Sequence, residues 1–265
     1  MSMYLENKFT FFYSQLGSEL MQTIDRVMQL AKILASESNP TGISISDIAK
    51  ECDLALSTLH RILKSMVKQG LAEQDADTKL YKLGQVWMEY GLRAYDTMDY
   101  VSSIRPELDR LSREVEESIY LSKCTGLEAI IIERIDNENN QIRMYDKLGL
   151  RIPMNIGAAN KIMLACMPTV ESEKIIKQLV PEHEQEPFKK MLQGIEKQGY
   201  AISHGERTEG TSSIGVAVRN ITGEVVGAIS IGCVTFNLTE DRMQMMIEKI
   251  LAAKDRVSEK IGRSS

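Results

Sequence analysis

Between Ser44 and Gly70 the chain sets two short amphipathic stretches around a turn of a few residues, and this limits the local fold more than any other segment. Ser44 or Ser46 can cap a short helix running to about Cys52, because a serine hydroxyl accepts one of the N–H groups that a first helical turn leaves unpaired. A brief Asp53-Leu54 turn leads to Ser57, expected to cap a second helix through Lys68, and Gly70 ends it. Two helices meeting at a sharp angle need a small residue in the first and apolar residues at fixed offsets in the second. Ala49, Leu54, Leu59 and Ile62 supply them, with Leu63 and Met66 one turn on. Asp53 stands at a turn position often filled by glycine, and a short polar side chain tolerates the left-handed backbone better than most.

The flanks complete a domain. From Gln22 to Ser36 the apolar residues Ile24, Val27, Met28, Ala31 and Leu34 recur at helical steps, until Ser38, Asn39, Pro40 and Gly42 break the pattern. Downstream, Leu71 to Leu83 reads as two short strands around an Asp75-Ala76-Asp77-Thr78 turn. Three helices and a hairpin make a winged helix-turn-helix, whose second motif helix turns Ser57, Thr58, His60, Arg61 and Lys64 away from its packing face. Arg61 carries the donor fork that matches the acceptors of guanine, and Ser57 and Thr58, near the helix start, suit a phosphate. Lys64, Lys68, Lys79 and Lys82 are better placed as phosphate anchors. The formal net charge of −5 does not exclude DNA, since one small face decides, and Ser57 to Gln69 holds three cations and no acid. A solvated face of an ordinary three-helix bundle is the competing reading.

At 265 residues, 43% hydrophobic and 26% charged, the chain is expected to form two globular domains. The four cysteines, Cys52, Cys124, Cys166 and Cys233, are far apart and no secretory leader is legible, which fits a reducing cytoplasm. No apolar run approaches the roughly 18 residues that a membrane span needs. Residues 1–20 read as an aromatic-rich arm and 21–83 as the winged domain. Residues 84–102 read as a linker and dimerisation helix with Trp87, Tyr90, Gly91, Ala94, Met98 and Val101 at heptad-like steps. An equal alternative is that this stripe packs on its own domain.

Residues 103–265 mix a helix through Leu108, Leu111 and Val115 with the apolar run Ala129 to Ile132, which suits a buried strand. Two strand-like runs, Ile214 to Val218 and Val225 to Ile231, flank a hairpin centred on Thr222-Gly223, and a last helix carries Met243, Met246, Ile247 and Ile250 on one face. This order suggests an α+β sensor domain with an antiparallel sheet. Enzyme signatures are missing: His60, His183 and His204 lack metal-ligand spacing, and Gly223 to Gly227 is too short for a dinucleotide fingerprint. No cofactor, metal or catalytic residue is expected. The rivals are a sensor or scaffold protein whose winged helix binds another protein and, last, an enzyme using the C-terminal pocket.

The run Ile45-Ser-Asp-Ile-Ala-Lys-Glu-Cys-Asp-Leu-Ala-Leu-Ser-Thr-Leu-His-Arg-Ile-Leu63, with Gly70-Leu71 and Tyr81-Lys-Leu-Gly84, resembles the N-terminal domain of IclR-family bacterial transcriptional regulators. Ile152-Pro-Met-Asn-Ile-Gly-Ala-Ala-Asn-Lys-Ile-Met-Leu-Ala165, Gly199-Tyr-Ala-Ile-Ser-His-Gly-Glu206 and Ser213-Ile-Gly-Val-Ala-Val-Arg-Asn220 resemble that family's effector-binding domain. The resemblance implies a homodimer or homotetramer whose GAF-like C-terminal domain binds a small molecule and alters the grip on operator DNA. Repressors and activators both occur in the family, and repression is the expectation here. Arg143-Met-Tyr-Asp-Lys-Leu-Gly149 is most similar to members controlling sugar-acid breakdown, so a small carboxylate or sugar acid is the effector implied. By the same resemblance, Ala158 and Ala159 at a helix start, Ser203, Ser213, Ser230 and Gly232 would line its pocket. The sequence departs from the family at Asn155, Asn160 and Ser203, where His, Gly and an acidic residue are frequent.

Overall fold

The computed structural model describes residues 23–263 other than 37, 138 and 141. The arm expected at residues 1–20 lies outside them. The chain divides into two compact units, Met1–Thr97 and Met98–Ser265.

In the first unit, α1 (residues 23–34) precedes α2 (Ile45–Cys52) and α3 (Leu56–Lys68). Of the two serines offered as caps, Ser44 serves: its hydroxyl accepts from the Asp47 N–H at 3.2 Å. Asp53 ends α2 in the left-handed region at φ 49°, the conformation its short side chain tolerates. The third helix starts earlier than expected. The carbonyl of Ala55 already accepts from the Leu59 N–H at 3.0 Å, so Ala55 is the cap residue and Ser57 stands inside the first turn. Leu59, Ile62, Leu63 and Met66 are buried against Leu30, Leu34 and Ile48, and each such side chain contributes about 1.5–3 kcal/mol by leaving water.

The wing follows as β1 (Ala72–Gln74) paired antiparallel with β2 (Tyr81–Leu83). Its turn is built by Asp75, whose Oδ1 accepts from the N–H of Asp77 at 3.0 Å and of Thr78 at 2.7 Å. The helix expected from Gly84 to Val101 is two helices. The first, α4 (Val86–Asp96), ends at Thr97, and Met98 is non-helical at φ −96°, ψ 63°. The heptad-like stripe is therefore interrupted. Trp87 donates its indole N–H to the Leu71 carbonyl at 2.8 Å, whereas Val101 is buried in the core of the second unit. None of the residues of α4 is buried.

The second unit runs α5 (Asp99–Val115), β3 (Ser118–Thr125), β4 (Glu128–Ile135), β5 (Arg151–Pro153), α6 (Ala158–Cys166), α7 (Thr169–Leu179), α8 (Glu182–Gln198), β6 (Ala201–His204), β7 (Thr211–Arg219), β8 (Val225–Val234) and α9 (Glu240–Arg263). Six strands form one antiparallel sheet in the order β5-β4-β3-β8-β7-β6. Side chains alternate across it. On one face Ile214, Val216, Val218, Ile229 and Ile231 pack with α5 and α9. On the other face the same strands carry Ser213, Gly215, Ala217, Ala228 and Ser230, and Ala217 and Ala228 pack with α6.

That small-residue face sets how close α6 can come. A Cβ on Gly215 would stand 2.7 Å from the Ala159 nitrogen and 2.8 Å from the Ala158 carbonyl carbon, so only glycine lets the start of α6 rest on β7. Ala129 to Ile132 is a strand, but a half-buried one: β4 alternates, with Ala129 and Ile131 buried and Ile130 and Ile132 partly exposed. The hairpin at Thr222-Gly223 is built by Asn220, whose Oδ1 accepts from the N–H of Thr222 at 3.1 Å and of Glu224 at 2.9 Å.

Candidate DNA-reading face and small-molecule pocket

Burial on α3 sorts the residues expected to meet DNA. With Leu59, Ile62, Leu63 and Met66 turned inward, Ser57, Arg61, Lys64 and Lys68 follow at steps of four, three and four and share the opposite face. Thr58 and His60 stand on its two flanks, Thr58 half-buried and His60 exposed. Among the described residues, the side chains of Arg61, Lys64 and Lys68 have no ion-pair or hydrogen-bond partner, and the first turn of α3 holds no acid. Uncommitted cations on a rigid helix are what a polyanion can engage without first breaking a bond.

The wing differs. Lys79 is left-handed at φ 59° and donates its ammonium to the Ala76 carbonyl at 2.6 Å, so it serves the turn as well as offering charge. Lys82 is exposed on β2. Hydrogen bonds from Thr78 hold the Asp75 carboxyl below the ordinary carboxylate range, so the wing tip stays anionic. Of the two wing lysines, Lys82 is thus the one with no hydrogen-bond or ion-pair partner among the described residues.

In the second unit the structure brings all six pocket residues together. Ala158, Ala159, Ser203, Ser213, Ser230 and Gly232 line one cavity between the start of α6 and the sheet. Sheet register explains the gathering: Ser203 pairs with Ser213 and Ser213 with Gly232, and in the neighbouring row Gly215 pairs with Ser230 and Ser230 with Tyr120. The Ala158 N–H donates to the Ser213 hydroxyl at 3.4 Å.

Several lining residues were not foreseen. Tyr120 donates its hydroxyl to the Met144 carbonyl at 2.8 Å, holding the loop after β4 over the cavity, and burial pushes that hydroxyl's pKa up so that it remains a neutral donor. From the loop after β6, Glu206 accepts from the Gly157 N–H at 2.9 Å and pairs with Lys161 of α6, while Arg207 pairs with Asp146. Only the alternation of β3, which places Tyr120 on the face away from Ile119 and Leu121, was a local signal for any of these. Of the three departures from the family pattern, Asn160 is committed to the Ile152 and Pro153 carbonyls at 3.0 and 2.9 Å, and Asn155 donates to the Leu179 carbonyl at 3.4 Å. Among the described residues, the Ser203 hydroxyl has no such partner.

A winged helix-turn-helix with an open cationic face, carried with a domain that encloses a hydroxyl-lined cavity, is the architecture of a ligand-responsive transcriptional regulator. The IclR helix-turn-helix domain matches residues 23–76, and the bacterial transcriptional regulator IclR C-terminal domain matches residues 92–259. The chain belongs to the IclR family of bacterial transcriptional regulators. It is 30% identical over 228 residues to the HTH-type transcriptional regulator KipR of Bacillus subtilis, covering 83% of this chain and 90% of that one. With the regulator KdgR of Escherichia coli it shares 26% over 247 residues, covering 91% and 94%. In fold it resembles an IclR transcriptional regulator from Alicyclobacillus acidocaldarius (TM-score 0.76, 20% identity, 91% and 99% covered). It also resembles an IclR homolog from Microbacterium hydrocarbonoxydans complexed with 4-hydroxybenzoate (TM-score 0.76, 21% identity, 92% and 100% covered). No described helix is long and apolar enough to cross a membrane.

Proposed function

We propose that this regulator reads operator DNA with the outward face of α3 and answers to a small carboxylate or sugar acid bound between α6 and the sheet. The observation that supports this best is the division of labour along α3: four apolar residues seat it, and Arg61, Lys64 and Lys68 stand on the other side with no partner among the described residues. Arg61 reads a base edge, with Ser57 and Thr58 at nearby phosphates. His60 and Lys64 extend the same face, and Lys68, Lys79 and Lys82 meet the backbone. The chain acts as a repressor in the cytoplasm and does no chemistry on its ligand.

The exposed apolar side chains of α4 support a homodimer. Met88, Tyr90 and Leu92 are 63%, 60% and 61% exposed, and a second copy of the chain would cover them. Such a dimer reads a near-palindrome with half-sites one or more helical turns apart, and pairing of dimers would give the tetramer. For the effector, the neighbour holding 4-hydroxybenzoate supports an acid, as do the Gly157 and Ala158 N–H groups that face the cavity at the start of α6.

A gel-shift assay on the DNA upstream of the protein's own gene tests the reading. Wild type should retard that DNA in preference to random sequence, and Ser213→Ala or Ser230→Ala should do so equally well but respond less to the acid. No preference over random DNA at low salt, with or without acid, would contradict it.

A further inference from the structure

We infer that Lys161 is the residue that takes the effector's carboxylate, and that the chain's own Glu206 occupies that seat when no effector is bound. This rests on the effector reading above and adds who holds the seat and what must leave it.

Lys161 lies in α6, and its side chain is only 7% exposed. A buried ammonium is tolerated only with a partner, and among the described residues its one ion-pair partner is Glu206. Glu206 uses its two oxygens differently. Oε1 takes the Lys161 ammonium, and Oε2 accepts from the Gly157 N–H at 2.9 Å, just ahead of the first turn of α6. A cation and a helix-start N–H converging on the two oxygens of one carboxylate form a receptor for that group, whether it comes from the chain or from a ligand.

The size of the cavity gives the second, independent observation. The space left is about 70 Å³, whereas a site for a small organic ligand holds roughly 300–1,000 Å³. The space left is thus well below that of a site for a sugar acid or an aromatic acid while Glu206 holds this position. Glu206 stands on the loop between β6 and β7, and that segment also sends Arg207 across to Asp146 on the loop after β4. Two ion pairs thus fasten this loop beside the cavity that Ser203, Ser213 and Ser230 line. An entering carboxylate that takes over Lys161 and the Gly157 N–H releases Glu206, and with it one of the two fastenings of the loop. A neutral analogue of the same shape cannot do this, because it would leave Lys161 buried without a counter-charge. Lys161 therefore sets the requirement for an acid.

Acetate tests the seat directly, because Glu206→Ala removes the side chain beyond Cβ, a fragment of acetate's size and charge. The full chain and its Glu206→Ala variant are titrated with sodium acetate, with acetamide and sodium chloride as controls, by calorimetry and by melting temperature. A seat held by its own carboxylate most of the time reduces apparent affinity by the fraction of time it is open. Glu206→Ala should accordingly bind acetate at least about tenfold more tightly than wild type, should be stabilised by it, and should ignore acetamide. Adding Lys161→Met should abolish the gain. Equal acetate affinity in wild type and Glu206→Ala, or a gain that survives Lys161→Met, would overturn the inference. Should Glu206→Ala fail to fold, Glu206→Gln carries the test: a rise in acetate affinity over wild type supports the seat and no rise refutes it. Acetate filling the seat while no acid alters DNA binding would sink the effector reading alone. An acid response that needs Ser213 but not Lys161 would sink the seat alone.

Discussion

The proposed DNA-reading helix and the proposed effector pocket both carry positive charge, and they deploy it in opposite ways. Arg61, Lys64 and Lys68 on α3 are exposed and have no partner among the described residues. At the pocket, Lys161 is paired with Glu206 and Arg207 with Asp146. An arriving polyanion gains attraction at α3 without displacing anything but counterions, so that contact is strong at low salt and fades as salt rises. An arriving small acid meets charges already satisfied and has to exchange for a carboxylate. Exposed, unpaired cations make a surface for binding, whereas a buried and compensated one such as Lys161 makes a site for selection.

The difference is broken most severely by undoing the seat of α3. Leu63 is fully buried, and Leu63→Ala should cost about 2–5 kcal/mol of stability, seen as a lower melting temperature together with lost DNA binding. In the second unit the matching lesion is Gly215→Ala. The added Cβ has to push against the Ala159 nitrogen, 2.7 Å away, and should cost about 1–3 kcal/mol by moving the start of α6. Calorimetric ligand binding should fall with it while DNA retardation without ligand persists.

Smaller effects sharpen the contrast. Arg61→Ala should weaken specific binding by roughly 1–3 kcal/mol and relax preference at one base pair, read as competition between specific and random duplexes. Lys68→Ala should lower affinity for all sequences and reduce the slope of log affinity against log salt by about 1. Equal effects of Arg61→Ala on specific and random DNA would remove its base-reading role. The smallest effect is on pH dependence. Arg256, first, and Lys260 hold the Glu107 carboxyl below its ordinary value of 4.5. Because the folded pKa is lowered, the resulting stability is complete above the unfolded value and is lost as pH falls through the folded one. Glu107→Gln should therefore flatten the decline of melting temperature below about pH 4.5 and leave neutral-pH DNA binding unchanged.

The winged domain was largely legible in the sequence because its determinants are local. Ser44 caps α2, Asp53 takes the left-handed turn, Asp75 builds the wing, and each acts within three residues of itself. The start of α3 was misplaced by a residue or two because Ala55, with no capping side chain, ends the turn through its backbone alone. The break between α4 and α5 carries no proline or glycine: Met98 leaves the helical region and Val101 is drawn into the other unit's core. In the pocket, family-like segments led to Ala158, Ser203, Ser213 and Ser230. Lys161 and Glu206, Arg207 and Asp146, and Tyr120 and Met144 join only through the sheet, across sequence separations that no periodicity spans. The residues that close the pocket were therefore the ones hidden from a linear reading.

In the proposed function one chain couples an unpaired cationic helix to an acid pocket whose Lys161 is already paired. Fluorescence anisotropy of a labelled duplex from upstream of the gene, titrated with the full chain with and without D-glucuronate or 4-hydroxybenzoate, tests it most directly. The chain should bind that duplex preferentially and, with one of the acids, change its apparent affinity by about 5–150-fold, a change that shrinks in Ser213→Ala. Affinity for the duplex no greater than for random DNA, unmoved by either acid, would contradict it.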